Sequence, residues 1–252
     1  MAKPEPQPIP SSRPHPVLPA YYDSEAQRRG FVRRLFDQTA GDYDRIERAV
    51  SFGTGVWYRR QALLRAGLTP GMRVLDVAVG TGLVAREALA VVGESGQVIG
   101  LDPSAGMLHE ARATVPIALV QGMGEWLPFA DGQFDFISMG YGLRHVSDLG
   151  SLFREFWRVL RPGGVACALE IARPDSAVSR AVLKIYLRGI APLLSRVVGS
   201  TPEAPTLYRY FWDTIEACVP PARVVDALRE AGFVGVKRHI EARMFSEYTA
   251  QR

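Results

Sequence analysis

Val74-Leu75-Asp76-Val77-Ala78-Val79-Gly80-Thr81-Gly82 sets the reading of the chain. An apolar run of strand type passes into a glycine turn, and Leu83–Val92 follows with helical spacing. Gly80 and Gly82 let the backbone adopt conformations that a side chain forbids and come close to a ligand. Backbone N–H groups at the start of the following helix can face that ligand. A Gly-x-Gly pair is weak evidence alone; the strand–turn–helix context gives it weight. Asp102 adds more. It follows the next strand, Gln97–Leu101, twenty residues beyond Gly82, where a carboxylate can accept both hydroxyls of a ribose. The competing reading is an ordinary turn, with Asp102 capping the helix that begins near Ser104. Together the two elements point to a bound nucleoside. Ala85 stands where a dinucleotide fold usually has a third glycine, a variation that pattern tolerates, so spacing alone does not exclude NAD.

Outward from this unit, strands and helices alternate. Helices are expected at Ala105–Ala113 and Leu149–Leu160, the latter closed by Arg161-Pro162-Gly163-Gly164. Strands are expected at Ile117–Gln121, Phe134–Met139 and Val165–Ile171, and a helix at Val224–Ala231 leads to a strand near Val234–Ile240. The pattern predicts an α/β fold with a doubly wound, mostly parallel sheet, whose ligand sits at the carboxyl ends of the strands. Residues 24–66 read as N-terminal helices with a break near Thr39–Asp44, and about 176–216 as a helical, aromatic-rich insert before the last strands. Residues 1–22 carry seven prolines and read as an extended or disordered arm, leaving 23–252 as a single domain.

Composition narrows the classes. The 252 residues suffice for one domain with a sizeable core. A net charge of +4 is too weak to argue for nucleic acid, and no basic–aromatic binding module appears. Cys167 and Cys218 are far apart, which suggests neither a metal cluster nor a disulfide framework. No apolar stretch has the form of a signal peptide or approaches ~20 residues, so a cytoplasmic setting is expected.

Further marks lie along the chain: Phe36-Asp37 through Tyr43-Asp44, Ser51-Phe52-Gly53, Trp57, Gly100-Leu101-Asp102-Pro103-Ser104 with Met107-Leu108, Leu127-Pro128-Phe129 with Phe134-Asp135, Gly142-Leu143-Arg144, Arg158-Val159-Leu160-Arg161-Pro162-Gly163-Gly164, and Glu170. With these, residues 31–240 resemble the ubiquinone/menaquinone-biosynthesis C-methyltransferases, within the class I S-adenosylmethionine methyltransferases. The resemblance implies S-adenosylmethionine as cofactor. Asp76, Gly80, Thr81 and Gly82 would hold its methionine end, Asp102 with Pro103 its ribose, and Met107, Met123, Gly124 and Gly140 would lie about the rest of it. The family's quinone-site network would map onto Tyr43 and Arg144. Four departures stand out. Met123 replaces an acidic or amide residue, which removes an acceptor for the adenine amino group. Gly140 replaces a common serine, His145 a usual asparagine, and the C-terminus Phe245–Arg252 lacks the family's His and Gly.

Methyl transfer to a ring carbon needs an electron-rich acceptor, and deprotonating an adjacent phenol supplies the density. A neutral histidine suits that task near neutrality, which makes His145 the candidate base, Arg144 the stabiliser of a phenolate and Tyr43 an orienting or relaying group. The structural alternatives are equally concrete: His145 bonding a backbone carbonyl, Arg144 pairing with Asp148 or Glu170, and Tyr43 filling core. The expected function is methylation of a small molecule, most simply a ring carbon of a phenolic or quinol-like acceptor. The alternatives are N- or O-methylation of another metabolite, or a cofactor-binding protein without transferase activity. In the insert, Arg180, Lys184 and Arg188 share one helical face, with Leu183, Leu187, Ile190 and Leu194 as its apolar side. This pattern fits a peripheral membrane contact, or else a lid or homodimer contact. Tyr208, Tyr210, Phe211 and Trp212 are expected to wall the acceptor pocket or fill core.

Overall fold

The computed structural model describes residues 13–50, 54–174, 176–197 and 200–252. In chain order the elements are α1 (Glu25–Val50), α2 (Gly55–Arg65), β1 (Arg73–Val77), α3 (Leu83–Val92), β2 (Gln97–Asp102), α4 (Ala105–Thr114), β3 (Ala118–Gln121), β4 (Phe134–Gly140), α5 (Leu149–Val159), β5 (Leu160–Ile171), α6 (Ala177–Ile185), α7 (Ala191–Val197), α8 (Ala204–Ala217), α9 (Pro221–Glu230), β6 (Val234–Glu241) and β7 (Phe245–Gln251). The strands form one seven-stranded sheet in the order β3-β2-β1-β4-β5-β7-β6. The pairs from β3 to β5 are parallel, whereas β7 runs antiparallel to both β5 and β6.

Alternation along the buried strands fills two cores. Leu75, Val77, Ile137, Met139, Ala166 and Ala168 face the layer that contains Leu152, Phe153 and Phe156 of α5 and Val224 and Leu228 of α9. Val74, Val98, Phe136, Cys167 and Leu169 face the opposite layer, with Ala62 and Leu63 of α2 and Ala85 and Ala88 of α3. This is the doubly wound sheet expected from the β/α alternation. The strand order reverses between β1 and β4, and that is where a crevice opens.

Four expectations change. First, α1 runs without a break through Thr39–Asp44. Thr39 turns its hydroxyl back onto the Leu35 carbonyl at 2.8 Å, and α1 packs along α4, so packing overrides the weak local propensity. The family mark Ser51-Phe52-Gly53 lies outside the described residues. Second, Arg161-Pro162-Gly163-Gly164 belongs to β5, because Gly163 N–H donates to the Arg252 carbonyl and Arg252 N–H donates to the Gly164 carbonyl, each at 2.9 Å. Third, the chain after Val234–Glu241 turns through Ala242 and Arg243, both at positive φ, into β7.

Fourth, the arm expected over 1–22 is packed in its described part; residues 1–12 lie outside the described residues. His15 and Tyr22 are buried, and the Pro14 carbonyl accepts a hydrogen bond from Val219 at 2.8 Å. Proline density removes donors but leaves carbonyls and rings free to dock.

Candidate active site

β1 ends at Val77, and the next residue, Ala78, has a φ of +55°. Tyr141, directly after neighbouring β4, has a φ of +61°. Two non-glycine residues in left-handed conformations on either side of the topological switch are strained backbone at the mouth of the crevice. Between and beyond them lies a cavity of about 490 Å³, a volume suited to a small organic ligand.

One end of the cavity is built on Asp102. Its Oδ2 accepts from Gly80 N–H at 2.9 Å and its Oδ1 from Ser104 N–H at 2.8 Å. Each oxygen therefore keeps lone-pair capacity for a ligand hydroxyl. Burial pushes the Asp102 carboxyl up to about 6, against the pull of these two N–H groups. Gly80 has φ +56° and open space where a Cβ would lie, so here the ligand can approach the main chain. Pro103, Ser104, Met107, Met123, Gly124, Met139 and Gly140 continue the lining. At Gly140 a Cβ would stand 2.6 Å from Val84 Cγ2. Glycine at this position is thus matched to the valine behind it, whatever other chains carry there.

Other members of the expected cofactor set stand behind the wall. Asp76 accepts from the Ser138 hydroxyl at 2.6 Å, tying β1 to β4, and burial pushes its carboxyl up to about 7. Thr81 donates to Asp44 of α1, and its carbonyl accepts from Thr114 at 2.7 Å. Gly82 has φ +91° and would place a Cβ 2.7 Å from Val115 Cγ1. Its role is close packing of α3 against the end of α4. The motif Phe36-Asp37 gains a physical reason as well: Asp37 accepts from the Ser104 hydroxyl at 2.6 Å and from Gly106 N–H at 3.0 Å, which docks α1 onto the start of α4.

The other end of the cavity is made by His145 and α1. His145 closes a single 3-10 turn, Leu143–His145, after β4. Its ring stacks on Tyr210 at 5.5 Å between centroids and meets Phe36 edge-on at 5.2 Å. The imidazole is half-buried, lines the cavity, and has both ring nitrogens out of contact with solvent and without a hydrogen-bond partner among the described residues. A buried polar group of this kind is a ligand-facing signal. Burial first, then the Arg144 and Arg28 charges, hold its pKa well below the ordinary 6.5, so the ring is neutral at physiological pH. Tyr43 lines the same space, and burial pushes its hydroxyl up to about 12. It stays protonated, a donor rather than a base.

Arg144 does not line the cavity. Its guanidinium is bonded to Glu170 at the end of β5 and sits over the Phe211 ring at 5.2 Å. Its backbone N–H donates to the same carboxylate at 3.3 Å, and its carbonyl accepts from Arg28 at 2.9 Å. This is the Glu170 pairing weighed above, and it makes Arg144 the residue that fixes the turn bearing His145. Arg28 also donates to His15 Nε2 at 3.0 Å, while His15 Nδ1 faces the Pro16 carbonyl at 2.7 Å. The packed N-terminal segment is therefore part of the same support.

Arg29, Arg33, Phe36, Glu125, Tyr141 and Ser147 also line the cavity and were not among the expected site residues. Arg29, Arg33 and Phe36 share the α1 face of Tyr43 at helical spacing, a signal present in the sequence. Tyr141 owes its place to backbone strain, which no residue pattern announces. Of the insert aromatics, Tyr210 and Phe211 lie against His145, whereas Tyr208 and Trp212 fill the core beneath the insert.

Comparison with known proteins gives the family and the fold. The profile of the ubiE/COQ5 methyltransferase family matches residues 22–243. A demethylmenaquinone methyltransferase of Lactococcus lactis is 34% identical over 214 residues, covering 82% of this chain and 83% of the relative. The ubiquinone/menaquinone biosynthesis C-methyltransferase UbiE of Hahella chejuensis is 32% identical over 213 residues, covering 82% and 84%. Among solved structures, a SAM-dependent methyltransferase from Aquifex aeolicus has a TM-score of 0.60 at 20% identity, covering 82% of this chain and 97% of that one. Another from Mesorhizobium loti has a TM-score of 0.54 at 23% identity, covering 79% and 99%. These two share the fold. With the profile spanning most of the chain and relatives above 30% identity, this protein belongs to the ubiE/COQ5 methyltransferase family.

Proposed function

We propose that this methyltransferase uses S-adenosylmethionine to methylate a ring carbon of a phenolic or quinol-like acceptor. One observation carries the assignment of the acceptor end: His145 is neutral, and its two buried ring nitrogens are unpartnered in the cavity that also holds the Asp102–Gly80 cradle. The names of the relatives, which act on demethylmenaquinone or in ubiquinone and menaquinone biosynthesis, point to the same acceptor class.

The residues present fit the cofactor. Asp102 offers two carboxylate oxygens with spare lone pairs for the ribose hydroxyls. Gly80 opens the main chain, and Met107, Met123 and Met139 provide polarisable apolar walls. When bound, S-adenosylmethionine supplies an activated sulfonium methyl, so the protein's work is chiefly alignment. His145 accepts the hydrogen bond, and then the proton, of the acceptor hydroxyl. After transfer the methylated ring carbon loses its hydrogen as a proton to solvent, and the imidazolium returns the first proton to the phenolate oxygen. In the protein alone, burial and two arginine charges oppose the imidazolium. A phenolate formed beside the ring supplies the missing negative charge, and Arg144 and Arg28 favour that phenolate. Proton transfer is thereby tied to the presence of the acceptor. Tyr43, held protonated, orients the ring by donation.

The test compares His145→Gln and wild type with a short-chain hydroquinone acceptor. Loss of turnover by about 10²-fold or more, with unchanged affinity for S-adenosylhomocysteine, is expected for a general base. Turnover within a few-fold of wild type would remove His145 from the chemistry.

A further inference from the structure

We infer that the outer face of the 176–197 insert docks on an anionic lipid bilayer. The helix α6 passes through a π-type turn, Tyr186–Ile190, into α7. Pro192, which lacks an N–H, stands just beyond that turn and is compatible with the extra residue. The turn changes which residues face out. Leu183 and Leu187, expected on one apolar side with Ile190 and Leu194, pack inward on α8 with Tyr208 and Trp212. Ile190 and Leu194 instead join Val178, Val182, Ile185 and Leu193 outside. Val178, Val182, Ile185 and Leu193 are 73%, 61%, 62% and 61% exposed. Six large aliphatic side chains on one short insert exceed the scattered exposure normal for a soluble surface.

Charge identifies the occupant. Residues 176–197 contain Arg180, Lys184, Arg188 and Arg196 and no acidic residue. Asp213 of α8 approaches Arg188 at 3.7 Å, and that guanidinium remains half exposed. An apolar face whose own exposed charges, Lys184, Arg188 and Arg196, are all cationic matches the acyl boundary and headgroups of an anionic bilayer. A second copy is a poor match, because a two-fold contact would set this basic face against itself. No described helix is long and apolar enough to cross a membrane, so the contact is peripheral. The location is also apt. The insert rests on α8, and Tyr210 and Phe211 of α8 border His145. Delivery of a lipid-soluble acceptor along this route rests on the function proposed above; the docking itself rests on the surface alone.

The test is co-sedimentation of the full chain with phosphatidylcholine–phosphatidylglycerol vesicles and with pure phosphatidylcholine vesicles. Binding to the mixed vesicles that weakens with salt is expected. Val182→Glu/Ile185→Glu should lower the partition coefficient by about tenfold or more. Both substitutions are on the surface, and unchanged S-adenosylhomocysteine affinity verifies the fold of the variant. Wild type remaining in the supernatant at low salt, or the double variant binding as well as wild type, would overturn the proposal. So would a dimer in sedimentation velocity that the same substitutions dissociate, which would assign the face to a second copy. Vesicle binding by a chain that methylates no quinol would leave this inference standing and remove the proposed acceptor.

Discussion

Glu170→Ala isolates the support of the His145 turn. Glu170 and Arg144 are 4% and 2% exposed, and the Glu170 carboxylate takes the Arg144 guanidinium, the Arg144 N–H and the Ile171 N–H. Deleting it leaves a guanidinium in the interior without its counter-ion, a change that costs about 3–5 kcal/mol. In a domain of this size each kcal/mol shifts Tm by about 2–4 °C, so a fall of roughly 10 °C is expected in thermal unfolding followed by circular dichroism. Removing both charges is different. Arg144→Met/Glu170→Leu replaces the pair with apolar volume and should recover most of that loss. Methyl transfer should stay impaired in the double variant, because the anchors of the turn are gone. A Glu170→Ala protein that melts within about 2 °C of wild type would show that the carboxylate does not anchor this turn. A double variant no more stable than the single would show that the loss does not come from the unpaired charge.

Asp102→Asn should weaken S-adenosylhomocysteine binding by ~1–3 kcal/mol in titration calorimetry. In wild type the affinity should fall as pH drops through about 6, where the Asp102 carboxylate takes up a proton. Asp76 has its carboxyl raised from 3.8 to about 7 in the fold. The folded state thus holds that proton more tightly, and the stabilisation it contributes is full below 3.8 and lost as pH rises through about 7. Asp76→Asn should flatten the decline of Tm over that window, and an unchanged slope would contradict the assignment. Gly82→Ala combines a positive φ with a 2.7 Å contact to Val115 and should cost more stability than Gly80→Ala, which meets open space. Denaturant unfolding of the two variants gives the comparison directly.

The central architecture was legible because its signals are local and strong. The strand ending in Asp76–Val77, the glycine turn and the strand ending in Asp102 each combine a short apolar run with turn chemistry. The cavity residues that came from these strand ends were found by the same logic. What escaped depends on distant partners. Nothing near Thr39–Asp44 reports that α4 and the Ser104 turn will hold α1 straight. Phe245–Gln251 becomes a strand because it fills the gap between β5 and β6. The site followed the same division. For Arg144 the sequence offered either a phenolate-stabilising cation or a partner of Asp148 or Glu170, and the fold shows the Glu170 pair, formed across 26 residues. Gly82 read as a ligand contact, and the fold adds a packing demand on it that the sequence could not announce, because Val115 is equally remote.

Carbon methylation assisted by His145 leaves its mark on the product itself. The most direct measurement is carbon-13 NMR of the product formed from methyl-labelled S-adenosylmethionine and a short-chain hydroquinone acceptor. A label on a ring carbon is expected, abolished in His145→Gln while cofactor affinity is retained. A label on oxygen or nitrogen, or a ring-carbon label that persists at wild-type rate in His145→Gln, would contradict it.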